Sequence, residues 1–250
     1  MNQNSQYLVE MQEQLPRIRA NLQDIQQTIA DACARTGRQQ GSVQLVAVTK
    51  QRSIAETLAV CQCGVRYLGE NRVEELSRKV PLMHELWRGP EITWHMIGHL
   101  QSRKADDALS YSHICHSVDS FKLAARLERL AQARGCVYPV LLECNVSGEA
   151  SKDGFVLAER DSWAEFVANA AHLVQYRHTQ VRGLMTMAPV TQDPEDARGT
   201  FSKLRELQMY LAQALPELDW RELSMGMSGD YRVAIEEGAT LVRIGSAIFE

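Results

Sequence analysis

The sequence of 250 residues has no long apolar run, because nowhere do the eighteen or so consecutive apolar residues of a membrane-spanning helix occur. The opening residues "MNQNSQYLVEMQEQ" have neither the basic nor the apolar segment of a secretion signal. Low-complexity tracts and repeats of fixed period are also missing. We therefore expect a cytoplasmic protein whose residues 1–250 form one domain, since this length suits a single core.

Neither charge nor cysteine is arranged for a specialised role. The chain has 27 basic and 31 acidic residues, a net charge of −4, which does not favour a nucleic-acid or anionic-membrane surface. The six cysteines lie in apolar segments, so we expect reduced thiols rather than disulfides. Neither "CQC" nor "HICH" has the spacing and partners of a metal site, and we expect no metal.

Short apolar runs alternate with amphipathic helical stretches after residue 40. This alternation predicts a closed (β/α)8 barrel. A doubly wound open sheet is the alternative, but no GxGxxG motif opens the first unit. The predicted strands are 43–49, 66–69, 92–97, 112–118, 138–145, 181–187, 221–225 and 240–244.

One more helix precedes the first strand, over residues 7–35. Its apolar residues recur every three or four positions, as on one face of a helix. We expect this face to pack on the barrel, with a dimer contact as the alternative. The residues are Met11, Leu15, Ile18, Leu22, Ile25 and Ile29.

The first predicted strand, 43–49 in "SVQLVAVTK", is followed directly by Lys50. A lysine there is either a solvated strand end or part of a site, because the carboxyl ends of barrel strands carry the active-site face. The residue alone does not decide between the two.

Two glycine-containing turns follow the last two strands. In "SMGMSGDYR", Gly226, Ser228 and Gly229 precede a helix, and in "VRIGSAIF" Gly245 and Ser246 open the next turn. Backbone N–H groups and a helix N-terminus can bind a phosphate there. The alternative is that Ser228 only caps its helix. A phosphate site across the barrel mouth from a lysine fits pyridoxal 5′-phosphate, and equally a sugar phosphate in a Schiff-base aldolase.

Longer motifs carry a family resemblance: "LVAVTK", "LGENRVEEL", "WHMIGHLQSRK", "NVSGEASKDGF", "VRGLMTMAP" and "LSMGMSGDYRVAIEEGATLVRIGSAIF". From residue 40 onward the chain resembles the pyridoxal phosphate homeostasis proteins, relatives of the alanine racemase barrel domain. The resemblance implies an alanine racemase-like, fold-type III barrel that binds pyridoxal phosphate (PLP) as an internal aldimine at Lys50. It also implies a set of further cofactor-binding residues. For the phosphate loop and its neighbours these are Ser224, Gly226, Met227, Ser228, Arg243 and Gly245, and for the ring and pocket Asn71, His95 and Met185.

The resemblance implies a carrier in vitamin B6 homeostasis rather than an enzyme. Arg243 would face the pyridine nitrogen, and a guanidinium does not release its proton, so the ring becomes a poor electron sink. Racemisation also needs a second acid/base group, which alanine racemases take from an additional domain that we do not expect here. Tyr231 is a weak candidate for that role.

Two other functions remain open. One is a PLP-dependent racemase or decarboxylase, and the other is an interaction module that has lost its cofactor. For the carrier, the expected partners are the small-molecule vitamer and PLP-dependent apo-enzymes, without nucleic acid or membrane. We expect a monomer or weak dimer.

Overall fold

The computed structural model describes residues 3–250. Within that range the chain forms nine strands, all paired in parallel. Their bounds are β1 Gln44–Val48, β2 Tyr67–Glu70, β3 Thr93–Met96, β4 Ile114–Val118, β5 Tyr138–Asn145, β6 Phe155–Val156, β7 Thr179–Met185, β8 Glu222–Ser224 and β9 Leu241–Ile244.

Eight of these strands close into a barrel. Neighbours run β1-β2-β3-β4-β5-β7-β8-β9, and β9 pairs with β1 to complete the ring. The short β6 adds to β5 outside the ring. The prediction of a (β/α)8 barrel is confirmed, and each predicted barrel strand overlaps an observed one.

Among residues 3–250, nine α-helices alternate with the strands. They are α1 Gln3–Arg35, α2 Ile54–Gln62, α3 Val73–Leu86, α4 Ala105–Tyr111, α5 Phe121–Arg134, α6 Asp161–Ala170, α7 Arg198–Ala214, α8 Tyr231–Glu236 and α9 Ser246–Phe249. Along each strand, side chains alternate between the helix layer and the barrel interior. For example, Ala47 belongs to the outer core, whereas Val46 packs inside the barrel with Leu141 and Leu241.

The backbones of β7 and β8 approach closely at Gly183. A Cβ atom at this position would lie 1.9 Å from the carbonyl oxygen of Glu222, and Gly183 has φ +150°. A side chain would therefore push the two strands apart, and only glycine fits.

The predicted N-terminal helix exists and is α1, which begins at Gln3 rather than at residue 7. It packs against α2, α8 and α9. Met11, Ile18, Leu22, Ile25 and Ile29 are buried as predicted, and Leu15 is half-buried. The face that the pattern predicts to be apolar is therefore the face that covers the barrel.

Candidate cofactor site

A cavity of about 710 Å³ opens at the carboxyl ends of the strands. Its wall contains three cations, Lys50, Arg52 and Arg243, against one carboxylate, Glu250. The apolar part of the wall is formed by Val48, Ile97, Met187 and Met227. Such a cavity favours an anionic ligand with an apolar part.

Lys50 stands at the mouth because β1 ends two residues before it. Its side chain is exposed and lines the cavity. The next residue, Gln51, has φ +60°, an uncommon conformation for a residue with a Cβ atom. Backbone strain of this kind often marks functional sites.

A buried ion pair supports the backbone just before Lys50. The ammonium of Lys79, on α3, donates to Glu70 Oε1 at 2.7 Å and to the carbonyl oxygen of Thr49 at 2.5 Å. The Thr49 hydroxyl donates to the same carboxylate at 2.6 Å. Burial raises the pKa of Glu70 even though Lys79 opposes the shift. These contacts fix the end of β1, from which Lys50 projects.

Ser228 ties together the two turns that the sequence predicts to hold phosphate. Its Oγ accepts N–H bonds from Gly245 at 3.2 Å and Ala247 at 3.3 Å. The N-cap of α8 is Asp230, so the alternative that Ser228 only caps this helix is wrong. Asp230 in turn accepts from the backbone N–H of Met227 at 2.6 Å, which holds the first turn in shape.

Several backbone donors at these turns face no protein acceptor. Within the described part of the chain, the N–H groups of Ser228, Gly229 and Ser246 make no hydrogen bond to protein. All three residues line the cavity. Together with the two serine hydroxyls, these groups can donate to the oxygens of a phosphate.

Arg243 forms part of the cavity floor and is 4% exposed. It donates to Ser224 Oγ at 2.6 Å and to the carbonyl oxygen of Thr186 at 3.0 Å. Burial lowers the pKa of Arg243 to about 10, so the guanidinium remains charged at neutral pH. Its hydrogen-bond acceptors are neutral, and its charge is available to a ligand above it.

A buried hydrogen-bond chain continues below Arg243. Ser224 Oγ lies 2.8 Å from His116 Nδ1, and His116 Nε2 lies 2.8 Å from His95 Nδ1. Burial lowers the pKa of His95 to about 3, so its ring is neutral. Because Ser224 Oγ accepts from Arg243, its own hydroxyl proton is free to be donated to His116 Nδ1. His116 Nε2 then carries a proton and donates it to His95 Nδ1.

Not every predicted cofactor contact lies at the cavity. Lys50, Asn71, Met227, Ser228, Arg243 and Gly245 line it. His95 and Ser224 do not, because they belong to the chain of hydrogen bonds beneath Arg243. Met185 does not line it either, because it is fully buried in the barrel interior beside Val46, and Met187 lines the wall instead. Gly226 shapes the turn: it has φ +92°, and a Cβ atom there would lie 2.6 Å from the Ala234 side chain.

Arg52 and Ile97 are among the wall side chains that were not predicted from the sequence. Arg52 lies two residues after Lys50 and pairs with Glu56 at 3.7 Å and Glu250 at 3.1 Å. Ile97 follows β3 and contributes apolar surface. The second basic residue in "TKQR" was the available signal for Arg52, whereas an apolar residue at a strand end gives none.

Glu143 is an unused carboxyl group in the barrel interior. It is 3% exposed, and its Oε2 has no hydrogen-bond partner among residues 3–250. Burial raises the pKa of Glu143 to about 7, while Arg243 acts in the opposite direction.

No cluster able to hold a metal ion occurs in the part of the chain that the structure describes. Helices long and apolar enough to cross a membrane are also absent from it.

Comparison with known proteins places this chain in a family. The alanine racemase N-terminal domain family matches residues 14–250. The pyridoxal phosphate homeostasis protein of Vibrio cholerae is 38% identical over 232 residues, which cover 93% of this chain and 95% of that protein. The chain belongs to the pyridoxal phosphate homeostasis protein family. The member from Aquifex aeolicus is 36% identical and covers 91% of this chain and 95% of its own length.

Solved structures agree with this assignment. PipY of Synechococcus elongatus, in a structure described as having PLP bound, superposes with a TM-score of 0.76 at 35% identity and covers 89% of this chain and 100% of its own. An alanine racemase from Clostridium difficile superposes with a TM-score of 0.66 at 15% identity over 94% of this chain and 56% of its own. At that identity the racemase shows a shared fold alone.

Proposed function

We propose that this protein binds pyridoxal 5′-phosphate as a Schiff base on Lys50 and serves as a carrier or buffer of the cofactor in the cytoplasm. The observation that carries the proposal is that Lys50 and the paired turns at Ser228 and Gly245 share one cavity. A PLP-bound relative of the same family supports the choice of ligand over a sugar phosphate.

The residues present fit this cofactor. The unpaired N–H groups of Ser228, Gly229 and Ser246 suit the phosphate, and Val48, Ile97 and Met187 suit a flat aromatic ring. Arg243 supplies a permanent donor at the floor. When bound, PLP supplies an aldehyde that condenses with an amine.

Two features of the site support a carrier rather than a racemase or decarboxylase. Arg243 lines the cavity and, as the family resemblance implies, would stand beside the ring nitrogen, where it would disfavour protonation of the ring and weaken the stabilisation of carbanions. Tyr231, the tyrosine nearest the phosphate turn in sequence, does not line the cavity. We also propose that PLP-dependent apo-enzymes receive the cofactor and that the protein is a monomer or a weak dimer.

The first test is the absorption spectrum of the protein mixed with PLP. We expect an imine band that is lost in Lys50→Ala, while weaker binding of the vitamer remains because the phosphate turns are intact. Lys122→Ala, which removes an exposed lysine on α5, is the matched control and should keep the band. If Lys50→Ala bound no vitamer at all, the division into an amine half and a phosphate half would be wrong.

The second test separates carrier from enzyme. The loaded protein is mixed with a PLP-dependent apo-enzyme and a scavenger of free PLP, and we expect the apo-enzyme to be activated despite the scavenger. In parallel, amino acids are incubated with the loaded protein in deuterated water. Exchange of their α-hydrogen at ordinary enzyme rates, lost in Lys50→Ala, would overturn the carrier proposal.

A further inference from the structure

The guanidinium of Arg243, which lines the lysine cavity, is held at two points. Its Nη1 donates to Ser224 Oγ at 2.6 Å, and its Nη2 donates to the carbonyl oxygen of Thr186 at 3.0 Å. Because the guanidinium is planar, two anchors on different nitrogens fix the direction in which its other donors point. If either anchor is lost, the group can pivot about the one that remains.

The two anchors are not equally rigid. The Thr186 anchor is a backbone carbonyl, whereas Ser224 Oγ can move by rotation about its χ1 angle. Ser224 is fully buried, and among residues 3–250 its Oγ has one hydrogen-bond partner besides Arg243, which is His116 Nδ1 at 2.8 Å. The position of the Ser224 anchor therefore depends on His116.

Two proton arrangements are possible along Ser224, His116 and His95. If Ser224 donates to His116 and His116 donates to His95, one buried group, the N–H at His95 Nε2, has no partner among residues 3–250. If the direction is reversed, both the Ser224 hydroxyl hydrogen and the His95 Nε2 lone pair have none. Unpaired buried polar groups cost free energy, so the first arrangement is favoured. In this arrangement Ser224 accepts from Arg243 and donates to His116, and each bond strengthens the other.

His116 must be neutral in this arrangement, because its Nδ1 accepts a hydrogen bond. Burial lowers the pKa of His116 well below its usual value, and His95 and Arg243 add to the shift. The far end of the chain is also closed to solvent, since His95 is 3% exposed and packs edge-on against Tyr67 at 5.6 Å between ring centroids. The same proton arrangement therefore persists across the neutral pH range.

We propose that His116 is a positioning residue of the cofactor cavity, which acts through Ser224 to hold the Arg243 guanidinium in the direction that a ligand ring requires. This inference rests on the proposed function, and it adds to it a residue that no ligand touches. His116 is fully buried and does not line the cavity, so its effect on a ligand has to pass through Ser224 and Arg243.

The proton arrangement is tested in the ligand-free protein by nitrogen NMR of the histidine side chains. We expect neutral His116 with its hydrogen on Nε2, and no titration of this ring between pH 6 and pH 8. A hydrogen on Nδ1, or a charged ring, would overturn the proposal. This measurement on the wild-type protein decides even if a variant of His116 fails to fold.

The positioning role is tested by fluorescence titration with PLP. His116→Asn places an amide oxygen near the position of Nδ1 and can still accept from Ser224, whereas His116→Gln places its amide near the position of Nε2 and cannot. We expect His116→Gln to raise the dissociation constant by about 5-fold and His116→Asn to change it by less than about 2-fold. An equal loss of affinity in both variants would contradict a role through Ser224. Inorganic phosphate, measured as a competitor, should bind all three proteins equally, because the turns at Ser228 and Gly245 are unchanged.

A double variant shows whether His116 acts through Ser224. Ser224→Ala removes the anchor itself and should weaken PLP binding at least as much as His116→Gln. Adding His116→Gln to Ser224→Ala should then cause no further loss, because two changes in one hydrogen-bond chain are not additive. Additive losses would overturn the proposal. The control is Ser112→Ala, which removes another buried hydroxyl, 2.6 Å from the Tyr138 hydroxyl, and should leave PLP affinity unchanged.

The outcomes separate this inference from the proposed function. A normal Lys50 band with unchanged PLP affinity in His116→Gln would overturn only the role of His116. Absence of any Lys50 band in the wild-type protein would overturn the proposed function, and this inference with it.

Discussion

Glu143 and Arg243 are two ionisable side chains buried in the barrel, and they are not bonded to each other. Arg243 directs its hydrogen bonds to Ser224 and Thr186, whereas Glu143 Oε2 has no partner within residues 3–250. A buried carboxylate without hydrogen bonds is costly, so the proton stays on Glu143 until the pH is nearly neutral.

The first prediction concerns the pH dependence of stability. The pKa of Glu143 is raised from 4.5 to about 7, so between these values the folded protein binds more protons than the unfolded chain. The contribution of Glu143 to the free energy of unfolding is therefore fully present below pH 4.5. It is lost as the pH rises through 7, by about 3 kcal/mol in total. Glu143→Gln should remove this loss, whereas Glu165→Gln, at an exposed position on α6, should not.

Urea unfolding of the ligand-free protein at pH 5 and pH 8 measures this effect. The free energy of unfolding of Glu143→Gln, relative to wild type, should be higher at pH 8 than at pH 5. If the free energies of unfolding of Glu143→Gln and wild type differed by the same amount at pH 5 and pH 8, Glu143 would not carry a proton up to nearly neutral pH.

The second prediction concerns Ser228. Ser228→Ala removes the hydroxyl that joins the two turns and a donor to phosphate, and this should cost about 1–3 kcal/mol of PLP binding. The dissociation constant should rise by about 5- to 150-fold in fluorescence titration. The imine band should survive at saturating PLP, because Lys50 is unchanged. Unaltered affinity would show that the phosphate binds elsewhere.

The sequence predicts which residues face the barrel interior better than it predicts their depth. The family resemblance implies that His95 and Ser224 contact the cofactor, whereas both are buried and hydrogen-bonded to His116. Their height along the barrel axis depends on strand tilt and stagger, which the local sequence does not encode. Both residues therefore lie one layer below the cavity. Lys50 and Gly245 line the cavity as predicted, because each lies within two residues of the end of its strand.

At the scale of elements, the buried pair of Lys79 and Glu70 joins α3 to β2 and β1. Both side chains are 0% exposed, and Lys79 also bonds the backbone of Thr49. Removing one partner leaves an uncompensated charge, which is far more costly than removing both. The pair therefore fixes how α3 packs on the strand end that carries Lys50.

The third prediction follows from this pair. Lys79→Met should lower the free energy of unfolding by about 3–5 kcal/mol in urea denaturation. The double variant Lys79→Met, Glu70→Gln should recover part of the loss, because no unpaired charge remains. Lys122→Met, at an exposed site on α5, should have little effect. An equal loss in the single and double variants would mean that shape, and not charge, is what matters here.

The elements themselves were largely predictable, since barrel strands and helices differ in apolar period. Two differences are informative. The strand β6, Phe155–Val156, is too short to give a pattern. The strand β7 was predicted at 181–187 but runs Thr179–Met185, because the apolar residues of "MTM" continue past the strand and Met187 turns to the cavity wall.

At the scale of the whole molecule, the site lies where the first and last barrel strands meet. β1 pairs with β9 in the register Val46 to Arg243, so Lys50 and Gly245 follow adjacent strands. The helix α1 packs on α2, α8 and α9, which flank this seam. Asn21 on α1 donates to the carbonyl oxygen of Ile248 at 3.0 Å, and Arg17 donates to that of Phe249. The N-terminal helix thus holds α9 and the preceding turn at Gly245 in place.

The most direct test of the whole account is to locate the covalent bond. The protein is incubated with PLP, reduced with borohydride, digested and mapped by mass spectrometry. We expect one stoichiometric pyridoxyl label on Lys50, lost when inorganic phosphate at high concentration competes for the turns at Ser228 and Gly245. Stoichiometric labelling of another lysine, with Lys50 unmodified, would contradict it.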